Sequence, residues 1–532
     1  MGQRKVLFIT ADQWRGDALG CLGHPAAHTP NLDALAADGV LFRDHYTASA
    51  PCGPARTTLL TGLYPFIHRS VRNGTPLDRR HTNLALEARR AGRDPVLFGY
   101  TDSSADPREM APDDPRLRSF EGVLPGFRLE ATLNEGALSG WMTELARKGY
   151  AMPDVLFDIY SPPDPNADPK RFWRGPAKYK AEDSDTAYIA DKVIDYLRLR
   201  RKEDWLIHAV FLRPHPPLIA PAPYDSIIDV SVPPKPVRMA SREQEAGRHP
   251  YLDVWLKEMS TPGYFDAPFD IHALPESDRE EMRAVYFGLI AEVDAQIGRI
   301  IDHLKSTGEY DETLIIFTSD HGEMLGEHWC WGKGGFFDGS NHIPLIIRDP
   351  YAPQSARGRK VSAFTESVDL MPTILEWMGS STPNENNGHS LGEWLSGETP
   401  ERWRKSVFWE FDFRNPVTER YEKALDLTPD ECTLNVIRDR DFKYVHFTAL
   451  PPLLFDLKHD PGELVNLAED PAYTKTVAHY AQRLLSHRLL HAERTLTNAM
   501  LSPKGVVYKN QPRGKPDVLY GSNHAEEGSP LE

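Results

Sequence analysis

The chain has 532 residues, 40 % of them hydrophobic and 26 % charged, a composition that fits a globular protein and excludes collagen-like and bulk-disordered chains. At about 150 residues per domain, this length allows three units or one large α/β domain with a smaller one. With 61 basic against 77 acidic side chains the net charge is −16, which argues against nucleic acid or an anionic membrane as partner. A small anion held by a local cationic site is still compatible with it.

No run approaches the roughly 18 apolar residues of a membrane span. The N-terminal MGQRKVLFITADQW carries too short an apolar stretch for a signal peptide and no small-residue cleavage site; Val6 stands where myristoylation needs Ser or Thr. Cys21, Cys52, Cys330 and Cys432 make neither a disulfide framework nor a C-x-x-C pair. The expectation is a cytoplasmic protein with reduced thiols, in which the glycosylation spelling Asn73-Gly74-Thr75 is incidental.

Short apolar runs alternating with helical patterns predict an α/β fold, a large mostly parallel sheet flanked by helices. The first strand is KVLFIT (Lys5–Thr10), followed by a helix from Thr29-Pro30 to Gly39. Further strands are predicted at Pro95–Tyr100, Trp205–Leu212 and Thr313–Ser319, each β-rich and bounded by breakers, as strands buried on both faces are. A helix begins near Ser184 with Ile189, Val193, Tyr196 and Leu197 on one face. A longer one opens with a capping box, Ser277 to Glu280, carries a stripe from Met282 through Val285, Leu289, Val293, Ile297 and Ile300 to Leu304, and stops at Gly308. Pro, Asp and Gly dominate 105–180 and 214–275, read as loop excursions that shape the rim of a site.

Beyond residue 400, SVFWEFDF, CTLNVIRD, FKYVHFTA and LLFDL alternate as a small antiparallel sheet does. The predicted organisation is a catalytic α/β domain over 1–395, an α+β subdomain over 396–499 and a C-terminal arm over 500–532. Val506, Val507, Tyr508, Val518, Leu519 and Tyr520 give that arm apolar side chains that bury against a neighbouring subunit or back on their own.

Asp12 and Gln13 follow the first strand, Tyr100 to Asp102 end the second, His215 in RPHPP follows WLIHAVFL, and Asp320 and His321 close TLIIFTS. The carboxyl ends of parallel strands meet along one edge, where ligands bind. Singly, each residue is more often a cap or a surface histidine; together they converge on one rim. Asp12, Asp320 and His321 would make a mixed oxygen–nitrogen metal site, which suits a first-row transition ion better than calcium. In ASAPCGPARTTLLTGLYP, Cys52 stands at a helix N-terminus with Arg56 one turn on, a setting that stabilises a thiolate or an anionic oxygen. The plainer alternative is a buried structural cysteine.

Cys52-Gly53-Pro54-Ala55-Arg56 resembles the C-x-P-x-R signature of the sulfatases, whose cysteine is oxidised to formylglycine. TPNLDALAADGVLF, FTSDHGEMLGEH with Lys333 downstream, SVDLMPTILEWMG and LFDLKHDPGELVNL accompany it in the order of the sulfatase branch of the alkaline phosphatase superfamily, and span nearly the whole chain. Within that branch TADQWRGD, RPHPP, KYVHFTALPPLLFDL and HAERTLT are most similar to the phosphonate monoester hydrolases and related arylsulfatases.

The resemblance implies an alkaline-phosphatase-like fold and one divalent metal held by Asp12, Asp320, His321 and a formylglycine at Cys52. It implies a covalent hemiacetal ester on the hydrated aldehyde, released by the second hydroxyl. His215 and Lys333 then belong at the leaving-group oxygen, Asn73 and Tyr100 on the transferred group, and Arg56 as brace of the formylglycine. Gln13 replaces the second Asp of calcium-type sulfatases and His321 their Asn, which favours manganese over calcium or zinc. The implied substrate is a small anionic ester, an aryl sulfate or phosphonate monoester, with phosphate esters as side substrates. The implied partners are a formylglycine-generating or equivalent maturation enzyme and like subunits in a homodimer or homotetramer.

Asp102 stands where the phosphonate hydrolases show Thr. Turned outward it caps a loop; turned inward it repels phosphate dianions more than singly charged sulfate or phosphonate esters, and tips the reading toward sulfate. A phosphodiesterase using metal-bound water with unmodified Cys52 and a non-catalytic anion-binding paralogue are the alternatives. The aromatic pairs Trp329/Trp331 and Phe336/Phe337 either line an aryl pocket or, as preferred here, pack beneath the rim. His24, His28, His328 and His342 are given no role.

Overall fold

Lys5–Ala11 is buried at all seven positions and forms β1. The computed structural model describes residues 4–200, 203–261, 266–497 and 499–508. β1 lies near the middle of an eight-stranded sheet with β2 (Val40–Tyr46), β3 (Pro95–Phe98), β4 (Arg128–Ala131), β5 (Leu206–Phe211), β6 (Thr313–Ser319), β7 (His342–Arg348) and β8 (Arg359–Glu366), in the order β4-β3-β5-β1-β6-β7-β2-β8. β1 pairs in parallel with β5 and β6, and β3 with β4 and β5; β7 runs antiparallel to β6 and β2. This is the alkaline-phosphatase-like α/β architecture, and the strands that bear the candidate residues are adjacent and point the same way.

The four predicted strands coincide with β1, β3, β5 and β6, with small shifts at their ends. β3 stops at Phe98 because the chain leaves the sheet at Gly99, whose φ is +103° and where a Cβ would come within 2.6 Å of the Val210 carbonyl. β2, β4, β7 and β8 had no clear signal. β2 has charged, partly exposed residues in its middle, β4 spans four residues at the sheet edge, β7 contains Pro344, and β8 alternates at the other edge.

The helix Pro30–Asp38 ends at Gly39 as its pattern predicts, but Asp294 rather than Thr29 caps it, accepting the amides of Leu32 (2.8 Å) and Asn31 (3.1 Å). Asp185–Leu199 is capped by the Ser184 hydroxyl, as expected. The long helix Glu276–Thr307 buries the whole predicted stripe and stops at Gly308. Its capping box does not form. Pro275 is the N-cap, and the acids of the first turn are drawn to guanidinium partners instead, Glu276 to Arg238, Arg279 and Arg283 and Asp278 to Arg171. The excursions are less irregular than their composition predicts: 105–180 contains β4 and a helix at Ser139–Arg147, and 214–275 one at Pro250–Met259.

A second sheet, β9 (Val407–Asp412), β10 (Thr433–Arg438), β11 (Phe442–Phe447) and β12 (Leu453–Asp456), is antiparallel in the order β12-β11-β10-β9, as its alternating pattern predicts. It docks beside the segment leading to Cys52, where the Glu410 amide donates to the Ala48 carbonyl at 3.0 Å and Trp409 stacks on Tyr46. Trp331, Phe336 and Phe337 are core residues, in line with the preferred reading of those pairs. Ala499–Ser502 (β13) and Gly505–Tyr508 (β14) form a hairpin that exposes 66 % of Met500 and 82 % of Leu501. Val518, Leu519 and Tyr520 lie outside the described residues. Among the described residues no helix is long and apolar enough to cross a membrane.

Candidate active site

Cys52 is the first residue of the helix Cys52–Thr61, after the N-cap Pro51, and every residue of that helix is buried. Gly53 is needed there: a Cβ would meet the Asp102 carbonyl at 3.1 Å and Asn73 Oδ1 at 3.2 Å. The Gly53 amide instead donates to Asn73 Oδ1 at 2.8 Å, which ties the helix start to the Asn73 loop. Burial, and then the Asp12 carboxylate, push the Cys52 thiol well above its ordinary pKa, so the unmodified side chain is a thiol there, against the thiolate half of the expectation.

Around Cys52 the ends of β1 and β6 bring Asp12, Asp320 and His321 together, all buried, so that one ligand atom from each of the four residues lies within 4.8 Å of the others. His321 Nε2 is 3.1 Å from Cys52 Sγ, 3.5 Å from Asp12 Oδ1 and 3.8 Å from Asp320 Oδ2. Its Nδ1 is 3.1 Å from the Gly322 carbonyl, to which it donates, leaving the Nε2 lone pair facing carboxylate oxygens. Burial lowers the pKa of His321, so the ring is neutral. An imidazole lone pair, a sulfur and two carboxylates converge in a buried pocket, and a divalent cation, which displaces the thiol proton or meets the oxygen of a formylglycine there, fits that ligand set.

Arg56 orients this set. Its Nε donates to Asp320 Oδ2 (2.8 Å), Nη2 to Asp12 Oδ2 (2.7 Å) and Nη1 to the Tyr100 carbonyl (3.0 Å), while the guanidinium lies 3.9 Å above the Tyr100 ring. The Tyr100 hydroxyl donates to the same Asp12 oxygen. Burial alone would raise the Asp12 carboxyl, but Arg56, His321 and Lys333 together hold it below its usual value.

Lys333 Nζ donates to Gln13 Oε1 at 2.7 Å and to His215 Nε2 at 2.8 Å. His215 Nδ1 donates to the Pro216 carbonyl at 2.8 Å, and burial and then Lys333 hold the ring well below its usual pKa, hence neutral. Burial works against the Lys333 ammonium, yet the surrounding Cys52, Asp12 and Glu135 groups raise its pKa, so it stays charged. Gln13, at φ +69°, gives its amide nitrogen to Glu323, which also accepts the amides of Leu325 and Gly332.

Asp102 is buried, not turned outward. It adopts φ +51° beside Cys52 and Arg56, Oδ1 has no hydrogen-bond partner among the described residues, and burial pushes its pKa up to about 7. On the far side of His215 stand Glu135, with Oε1 at 3.4 Å from His215 Nδ1, and Asp266. Sequence reasoning missed Glu135, Asp266, Glu323 and Arg213. Glu323 sits inside the SDHGEM segment and Arg213 inside RPHPP, so both had a signal; Glu135 and Asp266 lie in excursions no motif covers.

A rim of parallel strands carrying a buried carboxylate–imidazole–sulfur set, braced by arginine and faced by a charged lysine, defines an ester hydrolase of alkaline-phosphatase-like fold. Residues 4–380 match the sulfatase family, and 326–489 match the C-terminal region of N-sulphoglucosamine sulphohydrolase. The chain belongs to the sulfatase family within the alkaline phosphatase superfamily. It is 42 % identical over 516 residues to the multifunctional alkaline phosphatase superfamily protein PehA of Trinickia caryophylli, covering 96 % of this chain and 100 % of that protein. An arylsulfatase of Clostridium perfringens is 27 % identical over 521 residues, covering 94 % and 97 %. The crystal structure of the phosphonate monoester hydrolase of Agrobacterium radiobacter superposes with a TM-score of 0.91 at 45 % identity, covering 96 % of this chain and 100 % of that one.

Proposed function

We propose that this chain is a metal-dependent hydrolase of sulfate and phosphonate monoesters whose nucleophile is a formylglycine made from Cys52. The observation that carries this reading is the convergence of Asp12, Cys52, Asp320 and His321 within 4.8 Å, beside the Lys333–His215 pair. When bound, a divalent cation acidifies a coordinated hydroxyl and neutralises the ester's non-bridging oxygens, and formylglycine supplies that hydroxyl as a geminal diol.

The chain's own residues do the rest. Arg56 fixes both ligand carboxylates by a fork that leaves them one orientation. Lys333 and His215 share a proton at the leaving-group side: Lys333 Nζ stabilises the developing negative charge, and His215 Nε2 is the acceptor through which a proton is relayed. Gln13 holds Lys333 in place, and Asn73 and Asp102 stand on the transferred group. A buried Asp102 makes a doubly charged phosphate ester the more costly ligand, which ranks sulfate and phosphonate monoesters first.

The nitrogen ligand and the two carboxylates favour manganese among divalent ions. A formylglycine-generating or equivalent enzyme is needed to mature Cys52. We take 1–395 as the catalytic unit, 396–499 as a subdomain docked on it and 500–532 as an arm whose exposed Met500 and Leu501 join subunits in a homodimer or homotetramer, in the cytoplasm. Cys52→Ala tests the nucleophile. It should abolish turnover of sulfate, phosphonate and phosphate esters alike at an unchanged melting temperature; most of the activity surviving would favour metal-bound water and a phosphodiesterase.

A further inference from the structure

A cavity of about 320 Å³ opens where the reaction centre ends. Asp266 belongs to both: it lines the cavity, and its carboxylate lies within 4.8 Å of the His215 ring nitrogen and the Glu135 carboxylate. Pro217, two residues past His215, lines it too. A leaving group whose oxygen meets Lys333 and His215 therefore has this cavity as its next enclosure.

The walls are aromatic, with Phe157, Phe172, Trp173 and Phe269 among them, and Asp164 and Asp168 join Asp266 in the lining. The one lining guanidinium among the described residues, Arg171, is engaged by Asp278 through two bonds of 2.6 Å, and the hydroxyl of Tyr160 is given to Asp185 at 3.0 Å. Carboxylates are thus the charge the cavity offers to an occupant. Ring faces lined with carboxylates attract an organic cation and repel an anion, and the volume suits one substituted ring.

Resting on the ester-hydrolase reading above, we propose that this cavity is a leaving-group subsite selective for an aryl group that carries a positive charge, with Asp266 as its charge-recognising residue at the end nearest His215. The ester's anionic head then faces Lys333 and Arg56, and its cationic tail faces the acidic aromatic end, so the substrate matches both signs of the site.

The test uses the full-length protein and two isosteric phenols, 4-(trimethylammonio)phenol and 4-tert-butylphenol, titrated calorimetrically, together with hydrolysis of their sulfate esters. The cation should bind about tenfold more tightly than its neutral isostere. Asp266→Asn should remove that preference, and Ala167→Phe, which fills the cavity from its exposed wall, should weaken both phenols. The ratio of kcat/KM for the two esters, compared between wild type and Asp266→Asn, cancels the difference in leaving-group acidity. Equal binding of the two phenols, or a preference that Asp266→Asn leaves intact, would overturn the proposal. The phenols contain no ester, so a charge preference in a protein that hydrolyses neither ester would support the subsite while overturning the proposed function.

Discussion

Lys333 Nζ stands 2.8 Å from His215 Nε2, and the imidazole is oriented by its own bond to the Pro216 carbonyl, so the two side chains form one proton-sharing unit. Arg213, fully buried, fixes that unit from below: its Nη1 donates to the carbonyls of His215 and Pro217, both at 2.8 Å, and its Nε to Asp185 at 2.9 Å. In the proposed reaction this pair serves departure of the leaving group rather than the nucleophile.

The first prediction follows from that assignment. Lys333→Ala should lower kcat/KM by about 10²–10⁴-fold for esters of basic alcohols and phenols, and far less for nitrophenyl esters, which leave without help. A Brønsted series on wild type and variant reads this directly. His215→Ala should follow the same trend, and the double variant should lose less than the product of the two single losses. A loss of equal size across the whole series would place Lys333 elsewhere in the reaction.

The metal is the second. Chelated protein should regain more activity with manganese than with calcium, because one of the four candidate ligands is an imidazole nitrogen and only two are carboxylates. His321→Ala should weaken manganese binding, read as a lower manganese content by elemental analysis at equal free metal. Equal rescue by calcium would show that His321 is not a ligand.

Much of this was legible in the chain, for identifiable reasons. β1, β5 and β6 are buried on both faces and read as apolar runs, and a parallel arrangement puts the residues after them on one rim, which is where Asp12, His215 and Asp320 lie. The edge and interrupted strands, β4 and β7, have no such pattern. The capping box at Ser277 failed because the helix begins one residue earlier, at Glu276 after the N-cap Pro275, which puts Ser277 inside the first turn instead of at the cap. The thiolate half of the Cys52 expectation failed because helix position was visible in the sequence, whereas the burial of Cys52 and the Asp12 carboxylate that faces it from the end of β1 are set by the tertiary fold. Glu135 and Asp266 come from unpatterned excursions and meet only in three dimensions.

The third prediction concerns Glu292, buried on the long helix. Burial, and then Asp185, push its pKa up to about 8 from an ordinary value of 4.5. Between those two values the folded protein keeps a proton that the unfolded chain has released. Its contribution to stability is therefore fully present below about pH 4.5, falls as pH rises and is gone above about pH 8. Glu292→Gln has no such titration. Calorimetric melting between about pH 5 and pH 9 should show wild type losing stability relative to Glu292→Gln as pH rises. A difference between the two proteins that does not change with pH would contradict this.

The fourth concerns the arm. Two strands alone are marginal in water, and Met500 and Leu501 on this hairpin are largely exposed. Truncation after Ala499 should lower the number of subunits per assembly, read from the mass by light scattering. An unchanged number of subunits would show that the arm is not an oligomerisation element.

The central claim is that Cys52 acts as formylglycine and not as a thiol. The measurement that tests it most directly is the mass of the Cys52 peptide, with and without thiol alkylation, in preparations made with and without a formylglycine-generating enzyme, each assayed for sulfate and phosphonate ester hydrolysis. The account predicts a lighter peptide that resists alkylation, with activity in proportion to its fraction and none in the fully thiol form. Full activity in protein whose Cys52 is entirely alkylatable thiol would contradict it.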